Sequence, residues 1–182
     1  MHTYISILRG INVSGHNLIK MNALQEMYMK LGFEKVQTYI QSGNVVFQCH
    51  EPSAKRIEDM ISAGILNTFG FEVPVLVLGN EELLNISANN NFITERNEDI
   101  TKLHVTFLSG MPDKELAASI GKEEFLPDEF NISGRSVYVF CPNGYGNTKL
   151  SNNFFEKKLK VRATTRNWKT ILELVNISNS LK

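Results

Sequence analysis

Two short polar segments near the start of the chain carry residue types that can bind an anion. Arg9 and Asn12 follow a short apolar stretch, and Ser42, Gly43 and Asn44 stand between two further apolar stretches. An arginine can hold a carboxylate or phosphate with two parallel hydrogen bonds, and glycine-bearing turns expose backbone N–H groups. The alternative interpretation is structural: Arg9 bonds carbonyl groups of the hairpin or pairs with an acidic side chain.

A second set of candidate binding residues lies near the end of the chain. Lys149 closes a Gly-x-Gly-x-x-Lys segment that leads towards a predicted helix, where free backbone N–H groups favour anions. Its spacing is not that of a phosphate-binding loop. Arg166 and Asn167 precede another predicted helix, and Lys149 and Arg166 are expected to converge. Trp168 offers an aromatic face, although its apolar partners at helical spacing favour a place in the core instead.

The sequence lacks a recognised catalytic signature. It contains no Gly-x-Ser-x-Gly, His-Glu-x-x-His or Cys-x-x-Cys motif. His16, in the first polar loop, is a possible acid or base, but no carboxylate pair accompanies it. Catalytic residues therefore stay unknown, and the sequence leaves open whether the protein is an enzyme. No metal site or cofactor is predicted, and Cys49 and Cys141 are expected to be unlinked, buried thiols.

Composition sets the broad class. The 182 residues include 19 basic and 19 acidic side chains, so the formal net charge is zero and gives no overall attraction to nucleic acid or anionic lipid. No apolar run approaches the ~18 residues of a membrane span, and the start does not resemble a signal peptide. We therefore expect a cytoplasmic protein that does not enter membranes.

The predicted elements give an α+β fold. Strands at residues 4–8, 35–41, 45–49 and 72–78 alternate with helices in the order βαββαβ, which is the split βαβ or ferredoxin-like arrangement. Asn22 and Gln25 predict a capping box, and Met60 is predicted to point inward from the second helix. Ile40 is predicted to share one face of the second strand with Val36 and Thr38, and Ser42-Gly43-Asn44 is the predicted turn.

The second half of the chain repeats this pattern. Residues 5–11 align with 105–111, and the segment from Ser42 aligns with Ser133-Gly134-Arg135, so that Asn44 matches Arg135. A short strand at 161–163 and a terminal helix follow. We predict duplicated ferredoxin-like modules with an added C-terminal helix: residues 1–80 form the first module, 81–101 an acidic helix and linker, and 102–182 the second module with the terminal helix.

Three motifs together resemble a known family. They are Leu-Arg-Gly-Ile-Asn-Val from residue 8, Thr-Tyr-Ile-Gln-Ser-Gly-Asn-Val from residue 38 and Thr-Arg-Asn-Trp-Lys-Thr from residue 165. The chain resembles the bacterial family called domain of unknown function 1697 over nearly its whole length. The resemblance implies a cytoplasmic α/β protein built from ferredoxin-like repeats, and it implies no established activity. It singles out as candidate residues, without roles, Arg9, Asn12, Ser42, Asn44, Arg166, Asn167 and Trp168.

Three classes of function stay open at this stage. The first is a binding module for a small anionic ligand or a nucleic-acid phosphate. For RNA the nearest exposed-aromatic candidates are Tyr39, Phe47 and Tyr138. The second is an enzyme acting on a small phosphorylated or carboxylated substrate. The third is a structural or protein-interaction module in which sheet edges pair between subunits.

Overall fold

The computed structural model describes residues 1–181 and shows a mixed α+β protein with two four-stranded antiparallel sheets. The first half contains β1 (His2–Leu8), α1 (Met21–Lys30), β2 (Glu34–Tyr39), β3 (Asn44–Cys49), α2 (Ala54–Phe69), β4 (Val75–Gly79) and α3 (Asn80–Ala88). The second half contains α4 (Asn91–Thr94), β5 (Leu103–Leu108), α5 (Lys114–Ala118), β6 (Glu129–Ser133), β7 (Ser136–Phe140), α6 (Asn152–Leu159), β8 (Ala163–Asn167) and α7 (Trp168–Ser180). Three short 3-10 helices complete it: Ile100–Lys102, Lys122–Phe125 and Tyr145–Asn147.

The two sheets have the same strand order. The first runs β2-β3-β1-β4 and the second runs β6-β7-β5-β8. In the first sheet β3 lies between β1 and β2 and is antiparallel to both. The carboxyl end of β1 and the β2–β3 turn therefore lie at the same edge, as the sequence predicts, and Leu8 N donates to Gly43 O at 2.8 Å across that edge.

The core of the first unit lies where α1 and α2 cover one face of its sheet. Phe47 of β3 is fully buried, and its ring centroid lies 4.7 Å from that of Phe33 and 5.4 Å from that of Tyr28. Each buried aromatic side chain of this size contributes roughly 1.5–3 kcal/mol of hydrophobic stabilisation. The Tyr28 hydroxyl is satisfied within the core because it lies 2.7 Å from Ser6 Oγ on β1.

The second unit has a corresponding core between its sheet and α6. Val137 and Val139 of β7 pack with Leu108 of β5 and with Phe155 and Leu159 of α6. These strand residues alternate along the chain, as expected where one face of a sheet meets a helix. Cys141 is part of this cluster, and both Cys49 and Cys141 are free and buried, which confirms the prediction of unlinked thiols.

The chain divides into two compact units with boundaries that differ from the predicted modules. The first unit comprises Met1–Asn85 and the end of the chain from Glu173, and the second comprises Ile86–Leu172. The end of the chain groups with the first unit because the Leu181 carbonyl accepts hydrogen bonds from Lys35 Nζ at 2.8 Å and Gln48 Nε2 at 3.0 Å. The predicted acidic helix is present as α3, whereas the stretch after it that was expected to be a linker contains α4 and the start of a 3-10 helix.

Several local predictions near α1 and β2 were wrong. Helix α1 begins at Met21, no side chain caps it, and Gln25 Nε2 donates to Val36 O at 2.7 Å rather than closing a capping box. Ile40 is 48% exposed and has φ +50°, because β2 ends at Tyr39 and the turn begins there. Alternation along a strand therefore fails at the residue where the strand has already ended.

Three further predictions need correction. Met60 was predicted to point inward from α2, but it is 36% exposed. Gly64 is one of the buried residues of α2 instead. The β2–β3 turn comprises residues 40–43, with Asn44 already in β3. The strand predicted at 161–163 runs over Ala163–Asn167, because Lys160 in the left-handed region ends α6 and delays the strand.

The sequence alignment of the two hairpins is displaced by one residue. Ile7 pairs with Asn44 in the first sheet, whereas Phe107, its counterpart, pairs with Ser136 in the second. Asn44 therefore corresponds to Ser136 and not to Arg135. The cause is the loop length: four residues separate β2 from β3, and two separate β6 from β7.

Candidate functional site

Asn12 ties together the loop after β1 and the β2–β3 turn. Its Nδ2 donates to Ile19 O and to Gln41 O, both at 2.9 Å, and its Oδ1 accepts from Ile19 N at 2.8 Å. Its backbone has φ +54°, a left-handed conformation that Asn tolerates better than most residues. The Asn12 amide is therefore committed to holding the loop in place, and its contribution to any binding site is to position other groups.

The residues of the Ser-Gly-Asn segment also have structural contacts. Asn44 is fully buried and its Nδ2 donates to Ser42 Oγ at 2.9 Å and to Tyr39 O at 3.2 Å. A Cβ added to Gly43 would lie 2.7 Å from Leu8 Cβ and 2.8 Å from Ile11 Cδ1. Since Gly43 also has φ +78°, the close approach of the turn to β1 requires glycine there.

Arg9 lies at the same edge as Asn12, and its backbone is bonded to the residue just before β4, the other strand beside β1. Its backbone N–H donates to Pro74 O at 3.0 Å, and its side chain is half-buried. His16 is exposed in the loop, where its backbone N–H donates to Val13 O at 2.9 Å. The predicted neighbourhood of Arg9, Asn12 and the turn is therefore present, with much of its polar capacity used to build the edge itself.

A cavity of about 350 Å³ opens beside this edge. The residues that line it come from the loop after β1, the start of α1 and the β2–β3 turn: Asn12, Leu18, Ile19, Lys20, Met21 and Gln41. Among the described residues 1–181, neither the Lys20 ammonium group nor the Gln41 side-chain amide engages in a hydrogen bond or ion pair, and both side chains are exposed. The cavity therefore has one cation and one amide available to a ligand.

The electrostatics of this cavity favour a negative ligand. Its lining includes Lys20 and no acidic residue. Lys20 stands at the N-cap position of α1, a helix that has no side-chain cap and no acidic residue in its first turn. The partial positive charge at a helix N-terminus adds roughly 0.3–1 kcal/mol to the attraction of a nearby anion.

The second candidate region does not bring Lys149 and Arg166 into one cavity. Lys149 lines a cavity of about 210 Å³ together with Glu124, Asp128, Asn143 and other residues, and Arg166 is not among them. Two carboxylates beside one ammonium group oppose the binding of an anion there. The expected convergence of Lys149 and Arg166 is therefore absent from this cavity.

Arg166 is a strand residue rather than the loop residue that the sequence suggested. It lies in β8 opposite Val105 of β5, and its Nη1 donates to Thr165 O at 2.8 Å and Thr164 Oγ1 at 3.2 Å. Burial lowers the pKa of Arg166 to about 10, so the guanidinium stays charged at neutral pH. Part of the hydrogen-bonding capacity of the guanidinium is used by Thr164 and Thr165 of the same strand.

The neighbours of Arg166 in sequence have structural roles. Asn167 Oδ1 accepts a hydrogen bond from Thr170 N at 2.8 Å and so caps the first turn of α7, as the sequence predicts. Trp168 is 1% exposed, which favours the core alternative over a binding face. Of the three candidate RNA-stacking aromatics, Phe47 and Tyr138 are buried, at 0% and 2% exposure, and Tyr39 is half-buried.

A polar cluster on the second sheet was missed by the sequence analysis. Thr165 Oγ1 lies 2.7 Å from Thr106 Oγ1, accepts from the Tyr145 hydroxyl at 3.0 Å and donates to Asn152 Oδ1 at 2.7 Å. The His104 ring stacks on Tyr145 with a centroid distance of 4.5 Å. Burial lowers the pKa of His104 below its ordinary value of 6.5, with a smaller opposing effect of a hydrogen bond to the Lys102 backbone.

Lys20 was also missed, because no motif surrounds it. The signal that would have found it is an isolated cation just before a helix whose first turn carries no acid. Across residues 1–181 the structure shows no group of three or more His, Cys, Asp or Glu side chains that could hold a metal ion. Within the same residues no helix is both long enough and apolar enough to cross a membrane.

Comparison with known proteins places this fold and site in a family. The chain has the architecture of a mixed α+β protein with two similar four-stranded antiparallel sheets. Residues 1–138 match the family described as "Protein of unknown function (DUF1697)", and the chain belongs to that family. This confirms the resemblance to that family over residues 1–138, which contain the first two motifs; the motif from residue 165 lies outside the matched range.

A solved structure supports the fold. The conserved bacterial protein SP0830 from Streptococcus pneumoniae is similar with a TM-score of 0.72 and 22% sequence identity, over 97% of this chain and 98% of that one. At this identity the likeness concerns the fold alone. No curated protein matches the chain.

Proposed function

We propose that the protein is a binding module for a small anionic ligand, and that the ligand occupies the cavity beside the carboxyl end of β1. The observation that carries the proposal is the 350 Å³ cavity with Lys20 and Gln41 available in its lining and no acidic residue there. This volume is at the lower end of the ~300–1,000 Å³ range of small-molecule sites. Asn12 positions the two walls through its bonds to Ile19 and Gln41.

The contacts of the predicted residues suggest a separate role for each of them. Asn12, Gly43 and Asn44 shape the edge, and Ser42 supports Asn44. Lys20 supplies the charge and Gln41 an amide, while Arg9 lies at the same edge and is not among the residues that line the cavity. Lys149, Arg166, Asn167 and Trp168 belong to the second unit and are not part of this cavity.

A small ligand fits the cavity better than nucleic acid does. The net charge of the chain is zero, and RNA readers of this sheet type stack bases on two or three exposed aromatic side chains. Here Phe47 and Tyr138 are buried, which leaves Tyr39 as the one partly exposed candidate of the three. The enzyme alternative has no His, Asp, Glu, Cys or Tyr among the described residues that line the cavity, where Lys20 is the one titratable side chain and has no second acid or base to work with. Binding is therefore the function that the geometry supports best.

We further propose that each unit is a ferredoxin-like βαββαβ module and that the two arose by duplication of one ancestral unit. The shared strand order supports this. So does a pair of equivalent bonds, because Leu8 N donates to Gly43 O and Leu108 N donates to Arg135 O, both at 2.8 Å. A cytoplasmic location is part of the same proposal and rests on the sequence.

The experiment is a thermal-shift series with inorganic phosphate, acetate, adenosine monophosphate and a short single-stranded RNA at constant ionic strength. A ligand that binds the native state raises Tm in proportion to RT ln(1 + [L]/Kd). We expect at least one small anion to raise Tm in the native chain, with the shift lost in Lys20→Met and kept in Lys30→Met. Lys30 is an exposed lysine at the other end of α1, which makes it a matched control. Equal shifts in both variants, or a shift with RNA alone, would overturn the proposal.

A further inference from the structure

The cavity beside β1 has an apolar wall as well as a polar one. Of its six lining residues, Leu18, Ile19 and Met21 are apolar. Ile19 is 4% exposed and belongs mainly to the core, whereas Leu18 is 67% exposed and Met21 is half-buried. Leu18 and Met21 therefore provide the apolar surface that a ligand can reach.

Hydrogen bonds fix the loop backbone on both sides of Leu18, whose side chain is exposed to solvent. Asn12 bonds both the N–H and the carbonyl of Ile19, the next residue, and Asn17 Nδ2 donates to Gly10 O at 3.0 Å. Asn12 and Asn17 both have positive φ, at +54° and +48°. The loop thus contains two left-handed residues and leaves a leucine exposed. Because such backbone conformations concentrate at functional sites, this arrangement indicates a binding surface.

The loop and the turn that contribute to the cavity also carry other exposed apolar side chains. Val13 in the same loop is 58% exposed, and Ile40 in the neighbouring turn is 48% exposed. The Asn12 bond to Gln41 O links these two segments, so the apolar residues and Lys20 belong to one connected edge. An apolar surface beside a cation is complementary to a ligand that carries both kinds of group.

We infer that the ligand of this cavity is an amphipathic small anion, with a carboxylate or phosphate that faces Lys20 and an alkyl or aryl body that packs on Leu18 and Met21. This inference rests on the proposed function and names the ligand class. Each methylene that is fully buried strengthens binding about fourfold, equivalent to about 0.8 kcal/mol. Two buried methylenes are thus enough for a gain of more than tenfold.

The test compares acetate, butanoate and octanoate, which share one carboxylate and differ in chain length, with 1-octanol as the uncharged probe. Dissociation constants are measured with the full chain by NMR titration at fixed ionic strength. We expect octanoate to bind at least tenfold more tightly than acetate and more tightly than 1-octanol, with butanoate between the two acids. If the three acids bind equally, the inference is overturned while the anion site stands. If none binds and phosphate does not bind either, the proposed function fails as well.

Variants of Leu18 and Lys20 measure the contributions of the apolar and the polar wall to binding separately. Leu18→Asn should reduce the advantage of octanoate over acetate to less than threefold. Leu66→Asn replaces another exposed leucine, 43% exposed on α2, and should leave the advantage intact. Lys20→Met should weaken all three acids by a similar factor. Thermal melts of each variant check that the fold is retained, and unchanged octanoate affinity in Leu18→Asn would contradict the inference.

A final arm distinguishes a free amphipathic anion from a lipid surface, because both offer the same chemistry. Vesicles of phosphatidylcholine with phosphatidylglycerol are tested by co-sedimentation beside the octanoate titration. Saturable octanoate binding without vesicle binding is the expected result. Vesicle binding without octanoate binding would overturn the inference, since a surface and not the cavity would then be the binding partner.

Discussion

Asn12 shows how a residue that looks like a ligand-binding group can be a structural one. Its side-chain amide makes three hydrogen bonds to backbone groups, so little of its bonding capacity is left. The sequence predicts the location of Asn12 at the edge correctly. It cannot indicate that backbone groups use most of the hydrogen-bonding capacity of the amide. Lys20, by contrast, has no motif around it and becomes visible only when the loop, the helix start and the turn meet.

At this scale we expect Asn12→Ala to destabilise the protein by about 4–5 kcal/mol. Three hydrogen bonds at roughly 1 kcal/mol each are lost, and alanine at a left-handed position costs roughly 1–2 kcal/mol more. Asn12→Gly removes the same bonds without the backbone cost, so the difference between the two variants isolates that cost. Urea unfolding measures both. The exposed Asn176→Ala is the control and should stay within ~0.5 kcal/mol of the native chain; a similarly small effect for Asn12→Ala would refute this role.

The hairpin glycines give a matched pair for a second prediction. Gly43→Ala places a Cβ 2.7 Å from Leu8 Cβ, whereas nothing lies within 4 Å of a Cβ at Gly134 in the corresponding hairpin. Both residues have positive φ, so Gly134→Ala carries the backbone cost of roughly 1–2 kcal/mol and Gly43→Ala carries overpacking of roughly 1–3 kcal/mol in addition. Denaturant unfolding should therefore show a larger loss for Gly43→Ala. Equal losses would mean that Leu8 and Ile11 can move aside without cost.

At the scale of elements, the sequence predicts the strands and the longer helices because apolar periodicity reports burial directly. It fails where tertiary contacts decide the ends: α1 starts without the capping box, and β8 begins after a left-handed Lys160. The one-residue displacement between the hairpins arises from a four-residue loop in one and a two-residue loop in the other, and short motif identities cannot detect it.

The contact of β5 with the 3-10 helix Tyr145–Asn147 leads to a pH-dependent prediction. Burial lowers the pKa of His104 below 6.5, so in the interval beneath 6.5 the unfolded chain binds more protons than the folded chain. The free energy of unfolding should therefore fall as the pH decreases through that interval. We expect His104→Gln to flatten the dependence of Tm on pH between about 7 and 5.

Its control is His16→Gln, which changes an exposed histidine of the first loop and should preserve the slope of the native chain. Differential scanning calorimetry across the pH range provides the measurement. An unchanged slope in His104→Gln would show that the stacked ring does not contribute to the loss of stability in acid.

At the scale of the whole molecule, the end of the chain completes the first unit. Leu181 is 4% exposed, and its carbonyl accepts from Lys35 and Gln48. Sequence order alone assigns the terminal helix to the nearest module, and no local pattern reveals a return to residues more than one hundred positions earlier. Long-range contacts of this kind limit what sequence patterns can predict about boundaries.

Deletion of Leu181 and Lys182 should accordingly lower the free energy of unfolding by about 2–4 kcal/mol, because a buried leucine is removed and Gln48 loses an acceptor within the protein. Lys182→Ala in the intact chain is the control for the charge. Urea unfolding followed by Trp168 fluorescence and by circular dichroism measures the effect. A deletion variant as stable as the intact chain would contradict the role of Leu181 in the first unit.

An anion with an apolar body is proposed to bind beside the carboxyl end of β1, and backbone-amide NMR during an octanoate titration observes binding at that place residue by residue. We expect saturable shifts centred on Asn12, Leu18, Lys20, Met21 and Gln41, which need a higher octanoate concentration in Lys20→Met and an unchanged one in Lys30→Met. Shifts centred instead on the loop around Lys149, or shifts spread evenly over the exposed apolar residues, would contradict it.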